Sequence, residues 1–133
     1  MGSRKESWVG MNWIRQEKRL AIYMRDGLSC VWCGMSVEDG VKLTLDHLRA
    51  HSKGGSNHES NLVTCCKPCN DSRGSRAPSV FARVVAAYRN HGLTAKEVLS
   101  HVRACVLRAL DVAGAKEMIA RRGSAAKVLA ELS

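Results

Sequence analysis

The sequence predicts a small α+β domain on the basis of three observations. Residues 41–45 alternate apolar and polar side chains, which is the period of a half-buried strand, and residues 62–64 supply a short return strand. Apolar residues recur at helical spacing before and after this hairpin. Two C-x-x-C pairs, at 30–33 and 66–69, flank the hairpin. We therefore expect a β-hairpin between two cysteine pairs, with helices on either side in sequence.

The length and the charge bound what the chain can be. At 133 residues it is one domain, or a small domain with an appendage, and a chain this short buries a modest fraction of its surface. Its 21 Lys and Arg residues against 12 Asp and Glu residues give a net charge of +9. A basic surface attracts polyanions, of which nucleic acid is the commonest, although a basic face can also serve solubility alone. The charge favours a nucleic-acid partner and names no substrate.

Cysteine usage indicates a reducing compartment. The six cysteines come without a signal peptide or a long apolar run, which argues against a secreted disulfide scaffold. No apolar stretch approaches the ~20 residues that cross a bilayer. The sequence therefore predicts a soluble, cytoplasmic protein that has no membrane partner.

The N-terminal region divides into an arm and a helix. Residues 1–11 are polar, contain glycine and lack a period, so we expect a flexible arm. After Asn12, which can cap a helix, the apolar residues Trp13, Leu20 and Met24 recur near helical spacing. They predict a helix of about 12 to 14 residues that packs on the cysteine-bearing core. Trp13 is expected to be a packing anchor, the alternative being a residue that stacks on nucleobases.

The two C-x-x-C pairs indicate a structural zinc site. A spacing of two residues lets both sulfurs of a pair turn toward one ion, and two pairs supply the four soft ligands of a closed tetrahedral site. The predicted ligands are Cys30, Cys33, Cys66 and Cys69. Two redox dithiols are the alternative, which is disfavoured because two matching pairs around one hairpin make a closed site. In a chain this short, such a metal should contribute to folding.

Around these cysteines, four groups of residues occur in a definite order: Asp46-His47, Gly54-Gly55, Asn61-Leu62 and Cys66-x-x-Cys69-Asn70. This order resembles the zinc-containing HNH nuclease family over about a third of the chain. The resemblance implies a small ββα-metal core bound to zinc, in which a hairpin carries the histidine, a helix carries the last ligand and one divalent cation lies between them. It also assigns Cys65 to the core, because family members usually have an apolar residue there. One departure is Ala50, where the family commonly has proline.

The resemblance further implies a division of roles within the site. His47 would be the general base, since a neutral imidazole can take a proton from water at pH 7. Asp46 and Asn70 would hold Mg²⁺ or Mn²⁺, a catalytic ion distinct from the zinc, because both side chains offer hard oxygen ligands. Asn61 would orient the His47 imidazole or the loop that carries it.

Basic residues around the motif predict a phosphate-binding surface. They are Arg49, Lys53, Lys67, Arg73 and Arg76. Each could instead be a merely solvated side chain, so their number supports the surface more strongly than any one residue does.

Residues 78–133 are predicted to form a helical extension to a nuclease core at 12–77. An apolar helical stripe opens this region, and Thr94 with Glu97 has the pattern of a capping box that begins a further helix running to about Val112. The apolar stripes must bury either against the zinc core or against a second copy of the chain. Both a monomer and a homodimer therefore remain open.

By this resemblance the sequence predicts a metal-dependent HNH endonuclease that hydrolyses DNA phosphodiester bonds, with double-stranded DNA as the expected partner. The alternatives are a catalytically silent zinc module that binds nucleic acid and a nuclease directed at RNA. The presence of Asp46, His47 and Asn70 favours an enzyme over the silent module.

Overall fold

The computed structural model describes residues 13–89 and 92–132, so the arm predicted at 1–11 lies outside the described residues. Two strands, β1 (Leu43–His47) and β2 (Leu62–Cys66), form the one sheet found in these residues. The same ranges contain six α-helices: α1 (Gln16–Arg25), α2 (Lys67–Arg73), α3 (Pro78–Tyr88), α4 (Ala95–Val106), α5 (Val112–Arg122) and α6 (Ala125–Leu132). The predicted α+β class is confirmed. None of these helices has the length and apolar character needed to span a membrane.

The hairpin is antiparallel, and His47 at the end of β1 lies opposite Leu62 at the start of β2. Every residue of β2 is buried, whereas Thr44 and His47 of β1 are only partly buried. The alternation of buried and less buried residues in β1 stops at Asp46, because Asp46 and its neighbour Leu45 are both buried. A short 3-10 turn (His51–Lys53) lies in the loop between the strands, and a second one (Glu59–Asn61) leads into β2.

A buried ion pair fixes the end of α1 against β2. Arg25 Nε lies 2.7 Å from Asp26 Oδ1, and both side chains are almost fully excluded from solvent. Asp26 also accepts a hydrogen bond from the Thr64 backbone N–H at 2.8 Å. Arg25 donates to the carbonyls of Glu59 and Leu62 at 2.9 and 2.7 Å. Because the pair is hydrogen-bonded on several sides, its desolvation cost is offset and α1 is held to the strand.

The first two C-terminal helices, α3 and α4, pack against the cysteine pairs. Phe81 of α3 and Val98 and Val102 of α4 belong to the same buried cluster as the four predicted zinc ligands. A separate buried cluster joins α1 to α5 and α6. The apolar stripes of α3 and α4 therefore bury against the cysteine-bearing core, one of the two predicted alternatives, whereas those of α5 and α6 bury against α1. This packing crosses the boundary predicted at residue 77, so independent folding of residues 12–77 stays a prediction.

The capping box predicted at Thr94 is present. Thr94 Oγ1 accepts from the Glu97 N–H at 3.1 Å, and Glu97 Oε1 accepts from the Thr94 N–H at 2.9 Å. The predicted end of this helix near Val112 is wrong, because α4 ends earlier and Val112 begins α5. Asp111 caps α5 by accepting from the Gly114 N–H at 2.8 Å, so Gly114 lies in the first turn of that helix.

Replacing Phe81 by alanine is expected to lower the free energy of unfolding by about 3–5 kcal/mol, since it removes a fully buried aromatic ring and leaves a cavity. Tyr88→Ala on the same helix is the matched control. Its ring is 83% exposed, so its loss should change stability by less than about 0.5 kcal/mol. Urea unfolding of both variants measures the difference, and equal effects would contradict the packing of α3 on the core.

Candidate functional site

The first cysteine pair lies on a tight turn. Ser29 and Ser36 pair as an isolated bridge, and Cys30 and Cys33 lie between them. The Gly34 N–H donates to the Cys30 carbonyl at 2.9 Å. Gly34 has a φ of +81°, a left-handed conformation that costs glycine little and other residues more. The backbone of this turn therefore directs both thiols to one side.

The second pair lies where β2 passes into α2, and it completes a compact cluster of four sulfurs. The Sγ atoms of Cys30, Cys33, Cys66 and Cys69 all lie within 4.8 Å of one another, and all four residues are buried. Cys33 and Cys66 bring their Sγ atoms to 3.6 Å. Four sulfurs bound to one zinc at about 2.3 Å would lie about 3.8 Å apart. The cluster thus has the dimensions and the donor set of a structural zinc site.

Crowding of the thiols sets their acidity. Contact with Cys30, and then with Cys66 and Cys69, lowers the pKa of Cys33 far below its usual value. The contact with Cys33 raises the pKa of Cys30 to about 12, and contacts led by that with Cys30 raise the pKa of Cys66 and of Cys69. One thiolate therefore forms readily, and each further one is opposed by the charge already present. A divalent cation would neutralise that charge, which favours a metal centre over free dithiols.

Two neighbouring residues complete the surroundings of this cluster. Cys65 is buried outside it, and its Sγ donates to the Cys66 carbonyl at 3.4 Å, in agreement with its assignment to the core. Arg89, which follows α3, donates from Nη1 to Cys69 Sγ at 3.4 Å. Hydrogen bonds to ligand atoms orient them toward a metal. The C-terminal extension therefore contributes a side chain to the cysteine site.

Asp46 is held by two donors in the interior. Its Oδ2 accepts from Arg73 Nη1 at 2.5 Å and from Trp32 Nε1 at 3.3 Å. Burial raises the pKa of Asp46, although the neighbouring guanidinium opposes this effect. Within the described residues, no group donates to Oδ1. The carboxylate is thus fixed through one oxygen, and the other oxygen accepts no hydrogen bond from the described residues.

Arg73 does not lie on the surface predicted for phosphate. Its side chain is only 3% exposed. Besides Asp46, it donates to the carbonyls of His47 and Leu48 at 2.8 and 2.6 Å and to that of Arg76 at 3.1 Å. The prediction that Arg73 binds phosphate is therefore wrong. Its guanidinium donates to internal acceptors and holds the end of β1.

His47 lies at the end of β1, where its ring has three neighbours among the described residues. Nε2 lies 2.8 Å from Asn57 Oδ1. The Trp13 ring lies 4.8 Å away between centroids, tilted by 39°, and the His51 ring lies 6.3 Å away. The contact with Asn57 escaped sequence analysis, because Asn57 differs in no visible way from the other polar residues of its loop. Its position three residues after Gly54 was the only signal.

Asn61 holds the loop rather than the histidine ring. Its Oδ1 accepts from the Arg49 N–H at 2.9 Å, and its Nδ2 donates to the carbonyls of Arg49 and Ser56 at 3.1 and 2.8 Å. The loop folds back so closely that a Cβ on Gly55 would lie 1.8 Å from the Arg49 carbonyl oxygen, which excludes any other residue there. These contacts hold the loop that follows His47, and the predicted role of Asn61, to orient the His47 imidazole or the loop that carries it, stays a prediction.

Asp46 lies on β1 and Asn70 lies on α2, and side-chain contacts join these two elements. Asn70 Nδ2 donates to Thr44 Oγ1 at 2.8 Å, and the amide oxygen of Asn70 accepts no hydrogen bond from the described residues. Thr44 and Asp46 share one face of β1, because they are two residues apart. Asn70 and Arg73 share one face of α2, because they are three residues apart. Asp46 and Asn70 therefore lie on two elements, β1 and α2, that are joined by the Asn70–Thr44 and Arg73–Asp46 hydrogen bonds.

A groove of about 730 Å³ runs along β1, and we name it the β1 groove. Its lining includes His47 and Asn70 together with Trp13, Arg19, Lys42 and Lys67. Arg49, Lys53 and Arg76 are exposed outside it, and Lys67 is exposed but forms an ion pair with Asp71 at 2.9 Å. The structure thus brings the predicted base and one predicted oxygen ligand to a single basic cleft.

Comparison with known proteins identifies the central segment. Residues 30–85 match a family model described as HNH endonuclease. Searches among curated proteins and among solved structures found no match. The matched segment contains both cysteine pairs and Asp46, His47, Asn61 and Asn70, and it ends within α3. The family resemblance predicted from these residues is confirmed for that segment.

Proposed function

We propose, from the membership of residues 30–85 in the HNH endonuclease family, that this protein is a metal-dependent nuclease that hydrolyses phosphodiester bonds of DNA. The β1 groove supports this proposal, because His47 and Asn70 line it together. A general base and a ligand for a divalent cation are two groups through which a protein can catalyse the hydrolysis of a phosphodiester. Their presence in one open cleft favours an enzyme over a silent binding module.

His47 acts as the general base in this mechanism. Its ring is partly exposed at the mouth of the groove, so water can reach it. It takes the proton of the attacking water, and this transfer strengthens the nucleophile as the bond to phosphorus forms. The contacts with Asn57 and Trp13 hold the ring at the end of β1 during this step.

Asp46 and Asn70 would hold the catalytic cation, which supplies charge stabilisation to the phosphate and to the leaving 3′ oxygen when bound. Both offer an oxygen that no described residue occupies, and hard oxygen donors of this kind suit Mg²⁺ or Mn²⁺. The four cysteines, with soft sulfur donors, suit zinc instead. The two ions would therefore have separate sites and separate roles, one structural and one catalytic.

The remaining basic residues would bind the phosphate backbone. Arg49, Lys53 and Arg76 are exposed, and Arg19, Lys42 and Lys67 line the β1 groove. Contacts from such side chains position a nucleic acid without reading its bases. We propose double-stranded DNA as the partner, because basic side chains lie both in the groove and outside it.

Relaxation of a supercoiled plasmid tests the function. After removal of loosely bound metal with EDTA, cutting should cease and should return with Mg²⁺ or Mn²⁺, while the zinc content stays at one per chain. Asn70→Ala should need on the order of 10-fold more Mg²⁺ for half-maximal cutting, because one of two protein ligands is lost. Elemental analysis and a Mg²⁺ titration measure the two ions separately.

Ser72→Ala on the same helix is the control, since Ser72 is exposed and no role is assigned to it. If zinc and activity fall together in Asn70→Ala, the division into two sites is wrong. Cutting of RNA but not of DNA would identify the RNA-directed alternative. Binding of nucleic acid without any cutting by the unmodified protein would identify the silent module.

A further inference from the structure

We propose that Asn57 is the positioning residue of the histidine base: its amide oxygen fixes the proton of His47 on Nε2 and leaves Nδ1 as the atom that receives the proton from water. This inference rests on the proposed nuclease function and deepens it. It assigns to Asn57, rather than to Asn61, the direct orientation of the ring.

The geometry of the contact determines which nitrogen is free. His47 Nε2 and Asn57 Oδ1 are 2.8 Å apart, an ordinary hydrogen-bond distance. An amide oxygen only accepts, so Nε2 must carry the hydrogen. A neutral imidazole carries one N–H, which leaves Nδ1 with its lone pair. No described residue donates to Nδ1, and a water held in the groove can therefore meet it.

Asn57 is itself held by its backbone and by its neighbour. Its carbonyl accepts from Lys18 Nζ at 3.2 Å, and Lys18 also pairs with Glu59 at 3.4 Å. The carbonyl of Ser56, the preceding residue, accepts from Asn61 Nδ2 at 2.8 Å. The loop is thus tied both to α1 and to the start of β2. These ties keep an exposed side chain aimed at the ring, although it lies in a loop.

Asn61 cannot take the same role, because both ends of its amide are occupied by backbone. Its oxygen accepts from the Arg49 N–H, and its two amide hydrogens are donated to the carbonyls of Arg49 and Ser56. It acts on His47 only through the loop, by setting the position of Ser56 and so of Asn57. Asn61 therefore acts on His47 indirectly: Asn61 holds Ser56, and the next residue, Asn57, contacts the His47 ring.

Trp13 restrains the ring from another side. Its indole lies 4.8 Å from the imidazole between centroids, tilted by 39°. A ring that is hydrogen-bonded at Nε2 and packed against an indole has little freedom to turn over and exchange its two nitrogens. The tautomer and the orientation are therefore set together.

The tautomer can be measured directly by NMR on protein labelled with ¹⁵N-histidine, at an alkaline pH at which the rings are neutral. Long-range ¹H–¹⁵N correlations should show His47 with its proton on Nε2. Asn57→Ala should shift the signals toward a mixture of tautomers, and Asn57→Asp, which keeps the acceptor, should restore the Nε2–H pattern. Ser52→Ala, an exposed change in the same loop, is the control and should leave the spectrum of His47 unchanged.

Kinetics on plasmid DNA supply the second readout. Asn57→Ala should lower kcat on the order of 10- to 100-fold with little change in KM, because orientation of the base is lost and DNA contacts are kept. An Nδ1–H tautomer in the unmodified protein, or an Asn57→Ala variant with unchanged spectrum and kcat, would overturn the assignment. If the tautomer depends on Asn57 as expected but no nucleic acid is cut, the positioning role is supported and the proposed nuclease function alone fails.

Discussion

His47→Ala is expected to lower the rate of DNA cleavage by about 10²–10⁴-fold while leaving DNA affinity nearly unchanged, which is the usual range for loss of a general base. The proposed base would act on water, whereas the proposed DNA contacts come from basic side chains such as Arg49 and Lys53 that the substitution leaves in place. Single-turnover cleavage and a separate binding titration, in Ca²⁺ or without divalent metal, measure the two quantities. Zinc content should stay the same, because the ring does not contact the cysteine cluster.

His51→Ala is the matched control for this experiment. His51 is exposed on the 3-10 turn after β1, and its ring centroid lies 6.3 Å from that of His47. Only His47 is held by Asn57 and Trp13, so His51→Ala should retain cleavage. If instead His51→Ala loses cleavage and His47→Ala retains it, His51 is the base and His47 has a structural role.

Features of the fold with a local cause could be predicted from the sequence. The C-x-x-C spacing and the alternation of residues 41–45 act over a few residues, so the cysteine site and β1 were recognisable. The capping box at Thr94 is equally local, and it is present. The helix that it opens ends before the position that the apolar pattern predicts, because Asp111 caps a new helix within that pattern.

The partners of side chains in the site could not be predicted, because they depend on how distant elements pack. Arg73 was indistinguishable in sequence from the exposed basic residues around it, yet α2 places it beside Asp46 in the interior. The same limit applies to Asn57 and Asn61. Both are polar loop residues, and only the path of the loop determines which amide reaches His47 and which reaches backbone.

The packing of the C-terminal extension has a consequence for the zinc site. Phe81, Val98 and Val102 share a buried cluster with the cysteines, and Arg89 donates to Cys69 Sγ. The four-cysteine cluster is therefore part of a large hydrophobic core of the described residues. Removing zinc should disturb more than the two cysteine turns, because α3 and α4 lose the surface against which they pack.

Cys69→Ser is accordingly expected to abolish stable folding as well as activity. Four thiolates on one zinc contribute on the order of 10 kcal/mol in small zinc domains, which is comparable to the whole stability of a domain this size. Serine keeps the volume but is a poor zinc ligand, so the loss would come from the metal rather than from packing. Circular dichroism, thermal unfolding and elemental analysis of the purified variant measure fold, stability and zinc.

Cys65→Ala is the control that isolates the metal, since Cys65 is equally buried and directly precedes a ligand, yet lies outside the four-sulfur cluster. It should retain one zinc per chain and lose only the stability expected for a small buried side chain, about 1 kcal/mol. Loss of zinc in Cys65→Ala with retention of zinc in Cys69→Ser would show that Cys65 is the zinc ligand and Cys69 the core residue. Folded Cys69→Ser protein without zinc would show instead that the apolar packing of α3 and α4 alone sustains the core, and that the cysteine cluster contributes little to it.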